Sequence, residues 1–262
     1  DAGGEHNPFS PRGDRAVELQ ALFHHGLIAG AMWARAAAEL TTGSDAGELA
    51  GIADAWTARA EMIAQSFRSS FWWEERKHLH DHLDRDGTAD RQIRPNALLA
   101  LWVYLDTLEM LDLIDSFRLG ETPEYAELVT WIQFREIVST AMETVILPHG
   151  VTSLDPADPD FKSLHLDLDN YYYDAAYHNG DVWVWLAGPA ISCMVAAGEK
   201  QAARELFAPM ITEILEEGCT GSLREIRDGR FIPGKEEFGG AASQAWSLAE
   251  FIRVAIEELG LE

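Results

Sequence analysis

Seven apolar stripes of helical period, joined alternately by short turns and long polar loops, constrain this chain more than any other feature. Leu19, Leu22, Phe23, Gly26, Gly30, Trp33, Ala37 and Leu40 recur at i, i+3 or i+4 and predict a helix over about 15–41. Leu49, Ile52, Trp56, Ala60, Ile63 and Phe67 predict a second over about 46–68. A third starts after Pro95 and carries Leu98, Leu99, Trp102, Leu105, Leu108 and Leu111. A fourth follows Thr122-Pro123, with Leu128, Ile132, Ile137, Ala141 and Val145 on one face. The run from about 181 to 197 is the fifth. The sixth, about 200–217, has Ala203, Leu206, Phe207, Met210, Ile211 and Ile214; the seventh, about 242–259, has Ala242, Ala245, Trp246, Ala249, Ile252 and Ile256. Strands are almost absent from this reading. Short links (Thr42-Gly43-Ser44, Gly198-Glu199) alternate with long stretches at 69–93, 147–180 and 218–241, which are rich in Asp, Gly, His and aromatic residues. Loops longer than about 12–15 residues are uncommon in compact domains unless they carry function. The pattern therefore implies helical hairpins whose working loops gather at one end, packed as a bundle, a solenoid or a closed α/α toroid. No fixed-period repeat of the TPR or ankyrin kind supports a regular solenoid.

Composition narrows the partners. The 262 residues hold 20 Lys+Arg against 44 Asp+Glu, a formal net charge of −24, with a pI near 4.6. Such a surface repels phosphate backbones and anionic headgroups, which excludes nucleic-acid and membrane-surface partners from the reading. Lys occurs only at Lys77, Lys162, Lys200 and Lys235, so the acidity fits either a protein kept soluble in concentrated salt or a simply acidic surface. Two cysteines, Cys193 and Cys219, make no disulfide framework and suit a reducing, cytoplasmic compartment. The most apolar run, 182–197, is too short to span a bilayer and contains Gly188 and Pro189. The chain begins at Asp1 in loop-like sequence, as a segment of something longer would.

Standard catalytic signatures are missing: there is no P-loop, GxGxxG, HExxH or GxSxG. His78, His80 and His82 alternate around Asp81 in a loop, and read as a solvated or sugar-contacting segment in preference to a metal site. Asp155, Asp158 and Asp160 lack the glycine and terminal glutamate of a calcium loop. No metal and no cofactor is expected. The aromatic loading of the loops is more specific. Phe71-Trp72-Trp73, Tyr171-Tyr172-Tyr173, Tyr177, Trp183 and Trp185 lie beside carboxylates and histidines. A sugar pocket needs that mixture, because C–H faces stack on rings while hydroxyls take polar partners. Trp33, Trp56 and Trp102 lie on periodic helix faces and read instead as core.

Four ordered stretches carry a resemblance. Residues 177–186, YHNGDVWVWL, resemble the YHxGxVWPW segment of the amylo-α-1,6-glucosidase domain of glycogen debranching enzymes. Ile93-Arg94-Pro95-Asn96 with Leu98-Leu99-Ala100-Leu101 is similar to that family's IRPNQLLAL, with Ala97 in place of Gln. Gly221-Ser222 with Glu225-Ile226, then Gln244-Ala245-Trp246-Ser247 and Ala249-Glu250, resemble its GSxxEI and AQAWSxAE ending. Asp1-Ala2, Pro11-Arg12 and Val17-Glu18 follow its WMDA…PRxGKxVE pattern from the Asp onward. The chain departs from the family at Asp181 and Val184, where members usually have Thr and Pro, and at Gly239-Gly240, usually Gly-Cys.

The resemblance implies an all-α (α/α)6 toroid, with residues 1–262 its C-terminal portion and the seven stripes its last seven helices. It implies hydrolysis of α-1,6-linked glucose stubs on a glycogen-type α-glucan, with Asp1 as general acid and Glu225 as general base of an inverting reaction. His178, Asn179, Tyr177, Trp183, Arg94, Asn96, Gln244 and Trp246 are the expected sugar-binding residues, with Arg94 and Asn96 read from position also as caps at the start of a helix whose first residue is Pro95. An inverting pair sits roughly 6.5–9.5 Å apart, which sets the expected Asp1–Glu225 separation. Two other readings stay open: a related toroid α-glucosidase or mannosidase acting on a small glycoside, and a catalytically silent carbohydrate-binding domain. On any of them the long loops should converge on one rim, and an incomplete ring should expose apolar helix faces.

Overall fold

The computed structural model describes residues 9–119, 122–166, 173–230 and 239–261. Among these, nine α-helices follow in order: α1 (Val17–Leu40), α2 (Ser44–Phe71), α3 (Asn96–Met110), α4 (Ile114–Leu119), α5 (Trp131–Glu143), α6 (Tyr173–Tyr177), α7 (Ala187–Ala197), α8 (Lys200–Glu216) and α9 (Ala245–Arg253). Seven of them answer to the seven stripes; α4 and α6 are the additional short ones. Where boundaries moved, local chemistry explains it. The fourth stripe begins in turns at 124–126, and its helix waits for Thr130, whose hydroxyl accepts from the Gln133 N–H while Gln133 accepts from the Thr130 N–H. The fifth run opens as a two-residue strand and a 3-10 turn (Val184–Leu186) before α7, and the seventh ends in a π-helical turn, Val254–Glu258.

Extended structure is confined to four antiparallel ladders of two-residue strands: β1 (Arg15–Ala16) with β4 (His82–Leu83), β2 (Trp72–Trp73) with β3 (His78–Leu79), β5 (Ile146–Leu147) with β6 (Gly150–Val151), and β7 (Val182–Trp183) with β8 (Ile226–Arg227). These ladders join the long loops to one another. Asp155 N–H bonds the Ile93 carbonyl, Lys162 N–H bonds that of Asn179, and β7–β8 joins the loop before α7 to the loop before α9. The three long loops therefore meet at one end of the helices. Gly180 lies at their junction, where a Cβ would stand 1.7 Å from the Lys162 carbonyl oxygen, so no side chain fits there.

The core runs through α3, α5, α7 and α8, around Leu98, Leu101, Tyr104, Phe134, Ile191 and Met194. The stripes of α1 and α9 do something else. Leu19, Leu22, Phe23, Trp33 and Leu40 are exposed, and α1 packs inward through Val17, Ala21, His24, Ile28 and Ala31. Small residues allow the close approach of α1 to α2 and α3. On α9 and the π-helical turn after it the exposed large apolar residues are Trp246, Ile252 and Ile256, while Ser247 faces inward. The expectation that Trp33 and Trp56 are core is thus corrected: they are 73% and 41% exposed, whereas Trp102 is half-buried. No helix of the described residues is long and apolar enough to cross a membrane.

Candidate active site

Glu225 precedes β8 on the loop between α8 and α9, and its main chain is fixed at both ends. Its N–H donates to the Ala241 carbonyl at 2.9 Å, and its carbonyl accepts from the Val184 N–H at 3.1 Å. The second bond depends on a departure from the family pattern, since a proline at 184 has no N–H to give. The half-buried carboxylate accepts from the Tyr177 hydroxyl at Oε1 and from the Ala241 N–H, 2.9 Å away, at Oε2. Gly240 makes this possible: its φ is +67°, and a Cβ there would lie 2.6 Å from Glu225 Oε2.

The residues either side of Glu225 are clamped from α8. Glu213, 1% exposed, accepts from the Arg224 N–H and Nε at 2.7 and 2.8 Å, and from Arg227 Nε at 2.9 Å. Burial opposes its charge, yet Arg227 and Arg224 together hold the carboxyl below its ordinary range. One buried carboxylate thus aligns the whole 224–227 segment. Glu213 was not singled out in the sequence, although a glutamate in line with Leu206 and Met210 on a core-facing stripe is the signal that could have found it.

Tyr177 connects Glu225 to an aromatic wall. Its ring meets Trp183 edge-on at 4.5 Å and His178 at 5.3 Å, and its carbonyl accepts from Trp183 Nε1 at 2.7 Å. Trp183 continues to Trp246 at 6.1 Å, and Trp246 stacks on Trp185 at 5.5 Å. The three indoles, with Ser10, Arg12, Arg94, Asn96 and His178, line a cavity of about 420 Å³ at the rim where the long loops meet, and Tyr177 stands behind Trp183, outside the lining. Five of the expected sugar-binding residues, Arg94, Asn96, His178, Trp183 and Trp246, are therefore brought to one cavity.

Their chemistry differs. Arg94 has every N–H donor taken by protein: Gln92 Oε1 twice, the Ser153 and His178 carbonyls, and Asn179 Oδ1 at 2.7 Å. It braces the loop junction. Asn179 is buried, accepting from Arg94 and donating to the Phe9 carbonyl, and does not line the cavity. Asn96 does not cap α3, whose N-cap is Pro95 without a side-chain bond; instead its Nδ2 donates to Asp81 Oδ1 at 2.7 Å. Gln244 precedes α9, and its N–H donates to the Leu223 carbonyl, tying the helix start to the Glu225 loop. Asp1 lies outside the described residues.

Asp81 and Arg12 are further components to which the sequence assigned no site role, although Asp81 stood in the histidine cluster and Arg12 in a quoted motif. Asp81, 3% exposed, accepts from Arg12 Nε at 2.6 Å and from Asn96. Burial works against its charge, but His82, Arg12 and Asn96 keep its carboxyl below the ordinary range. Arg12 also grips Glu18 with both terminal nitrogens, at 2.6 and 2.8 Å. Ligand atoms of Asp81, His82 and Asp90 come within 4.8 Å of one another. A cation there would compete with Arg12 and Asn96 for Asp81. His78 is buried and pushed down to about 4 by burial, and His80 stacks on Trp73 at 4.9 Å, so the alternating histidines do not converge.

Comparison with known proteins extends these observations. Among the solved structures that resemble the chain are the following three. A neutral trehalase from Saccharomyces cerevisiae matches at 13% identity and TM-score 0.50, over 76% of this chain and 30% of that one. An uncharacterized conserved protein from Thermus thermophilus matches at 15% identity and TM-score 0.51, over 90% and 46%. A GH63 mannosylglycerate hydrolase from the same organism, in complex with glucose, matches at 16% and 0.47, over 90% and 44%. The chain thus spans less than half the length of each. Its fold is that of the (α/α)6 toroids. No curated protein sequence matches the chain at a significant level. The family model for amylo-alpha-1,6-glucosidase matches residues 1–115 and 125–253, and the chain belongs to that family of glycoside hydrolases.

Proposed function

We propose that the chain supplies the catalytic base and much of the sugar site of a hydrolase that removes α-1,6-linked glucose stubs from a glycogen-type α-glucan. The observation that carries this reading is the placement of Glu225: a carboxylate held by two donors and joined through Tyr177 to a cavity walled by Trp183, Trp185 and Trp246. Family membership supports the substrate class.

The chemistry follows from glycoside hydrolysis. Glu225 takes a proton from water as the water oxygen bonds to the anomeric carbon, from the face opposite the leaving group. Asp1, as general acid, protonates the departing glycosidic oxygen as the C–O bond breaks. The Tyr177 and Ala241 donors fix the carboxylate plane and leave lone pairs on both oxygens for the water. His178 and Asn96 offer polar groups for hydroxyls, and the indoles offer faces for the sugar ring.

Glu225→Gln tests the role. The change keeps shape and hydrogen bonding but removes the base, so kcat on limit dextrin should fall by about 10²–10⁴-fold. Binding of the dextrin, followed by tryptophan fluorescence, should persist. Comparable turnover in the variant would remove Glu225 from the mechanism. NMR of freshly released glucose reports stereochemistry: β-glucose means inversion, and α-glucose would require a different pairing of carboxylates.

A further inference from the structure

Beneath the two donors to Glu225 lies a pair of buried side chains that the proposed chemistry does not use. His165 is 6% exposed and Asp181 fully buried, and His165 Nδ1 lies 2.6 Å from Asp181 Oδ2. The imidazole also meets both structures that hold Glu225. Its ring lies 5.8 Å from that of Tyr177, whose hydroxyl donates to Oε1. Its Cδ2 would stand 2.9 Å from a Cβ on Gly239, two residues before the Ala241 N–H that donates to Oε2.

The pair is itself rigidly held. The His165 N–H donates to Asp228 Oδ1 at 2.7 Å, the Asp181 N–H donates to the Ala176 carbonyl, and the Asp181 carbonyl accepts from Ser153 N–H. Asp181 Oδ1, by contrast, is buried with no hydrogen-bond partner among the described residues. An unpaired carboxylate oxygen in the interior is costly, and the adjacent imidazole is what compensates it. The charged and titratable groups facing His165 include Asp181, Asp228 and Tyr177, with Glu225 behind the tyrosine.

We infer that His165 and Asp181 form a positioning pair for Glu225, in which the buried carboxylate keeps the imidazole protonated beneath Tyr177 and the 239–241 turn, and that positive charge favours the ionised base. The name "base" rests on the proposed function; the electrostatic coupling does not. Burial pushes the Asp181 carboxyl up to about 6, so the carboxylate half of the pair is lost as pH falls through that region. Above it, Asp181 is ionised.

Two measurements on the protein test this, neither needing turnover. First, the ¹⁵N resonances of His165 should show an imidazolium between pH 6.5 and 7.5, about the ordinary histidine range and just above it; a neutral-tautomer pattern there overturns the proposal. Second, the Glu225 carboxyl should be titrated by ¹³C NMR in wild type and in Asp181→Asn, which preserves shape and an acceptor for Nδ1. Loss of the cation should raise the Glu225 midpoint by about half a unit or more, with the same direction in His165→Gln. An unchanged midpoint in a folded variant also overturns the proposal. Should Asp181→Asn fail to fold, the wild-type imidazole spectrum decides alone. If Glu225→Gln remained active while these shifts appeared, the catalytic reading would fail and the coupling would stand.

Discussion

The environment of one carboxylate depends on a residue with no side chain. Gly240 adopts φ +67°, and an added Cβ would meet Glu225 Oε2 at 2.6 Å and Glu225 Cβ at 3.0 Å. Gly240→Ala therefore combines left-handed strain with displacement of the carboxylate. The strain alone costs about 1–2 kcal/mol, readable as a lower urea midpoint. Displacing a base by an ångström costs up to about 10²-fold in rate, so kcat should fall further than stability explains. Wild-type turnover in the variant would mean that the present placement of Glu225 is not the working one. At this scale the sequence was partly informative. Glu225, Tyr177, His178 and Trp183 were legible because they stand in quotable motifs. The His165–Asp181 contact was not, since its partners stand sixteen residues apart and leave no periodic trace.

At the scale of elements, the segment carrying Glu225 is held by its neighbours more than by its own structure, since β8 has only two residues. The clamp is Glu213 on α8, and removing it takes the buried ion-pair partner from two guanidinium groups that are 3% and 13% exposed, leaving Arg224 with Glu217 and Arg227 with backbone carbonyls. Glu213→Ala should destabilise the protein by about 3–5 kcal/mol, measurable by urea unfolding. Because Arg224 and Arg227 flank Glu225, milder Glu213→Gln should lower kcat more than it raises KM. The sign of the pH effect follows from the depressed carboxyl: its stabilisation is fully present above the ordinary glutamate range and is lost as pH falls through the folded value. Glu213→Gln lacks that stabilisation at every pH, so its acid unfolding should move to higher pH; an unchanged acid midpoint would assign the loss elsewhere. Helices were legible here because a 3.6-residue period survives tertiary context. The four ladders were not, because two-residue strands are too short for a period of 2 to register.

For the molecule as a whole, the informative surprise is the direction in which apolar stripes point. The stripes of α3, α5 and α8 largely turn into the core, as periodicity implies. Those of α1 and α9, equally clear in sequence, turn outward, with Trp33 73%, Leu40 89% and Ile256 63% exposed. Periodicity reveals that a face is apolar; it does not reveal whether this chain covers it. Within the described residues, α1 instead approaches α2 and α3 through Val17 and alanines, and α9 turns Ser247 inward. Contiguous apolar faces of this kind mark surfaces meant for another element or partner. The expected outcome is specific to these two faces. Because Leu22, Trp33 and Ile256 are 49%, 73% and 63% exposed, Leu22→Glu, Trp33→Glu and Ile256→Glu should each change the stability of this chain by no more than about 0.5 kcal/mol. Ala21→Glu, placing a charge at a position of 0% exposure one residue away, should unfold it. Combining the three outward substitutions should also lower binding of the dye ANS, which reports exposed apolar surface. A large loss of stability from the outward substitutions alone would show that these stripes are covered in solution, by self-association or by sequence beyond the described residues. Sedimentation of the wild-type chain over a range of concentrations separates those two cases, because only self-association makes the coverage depend on concentration.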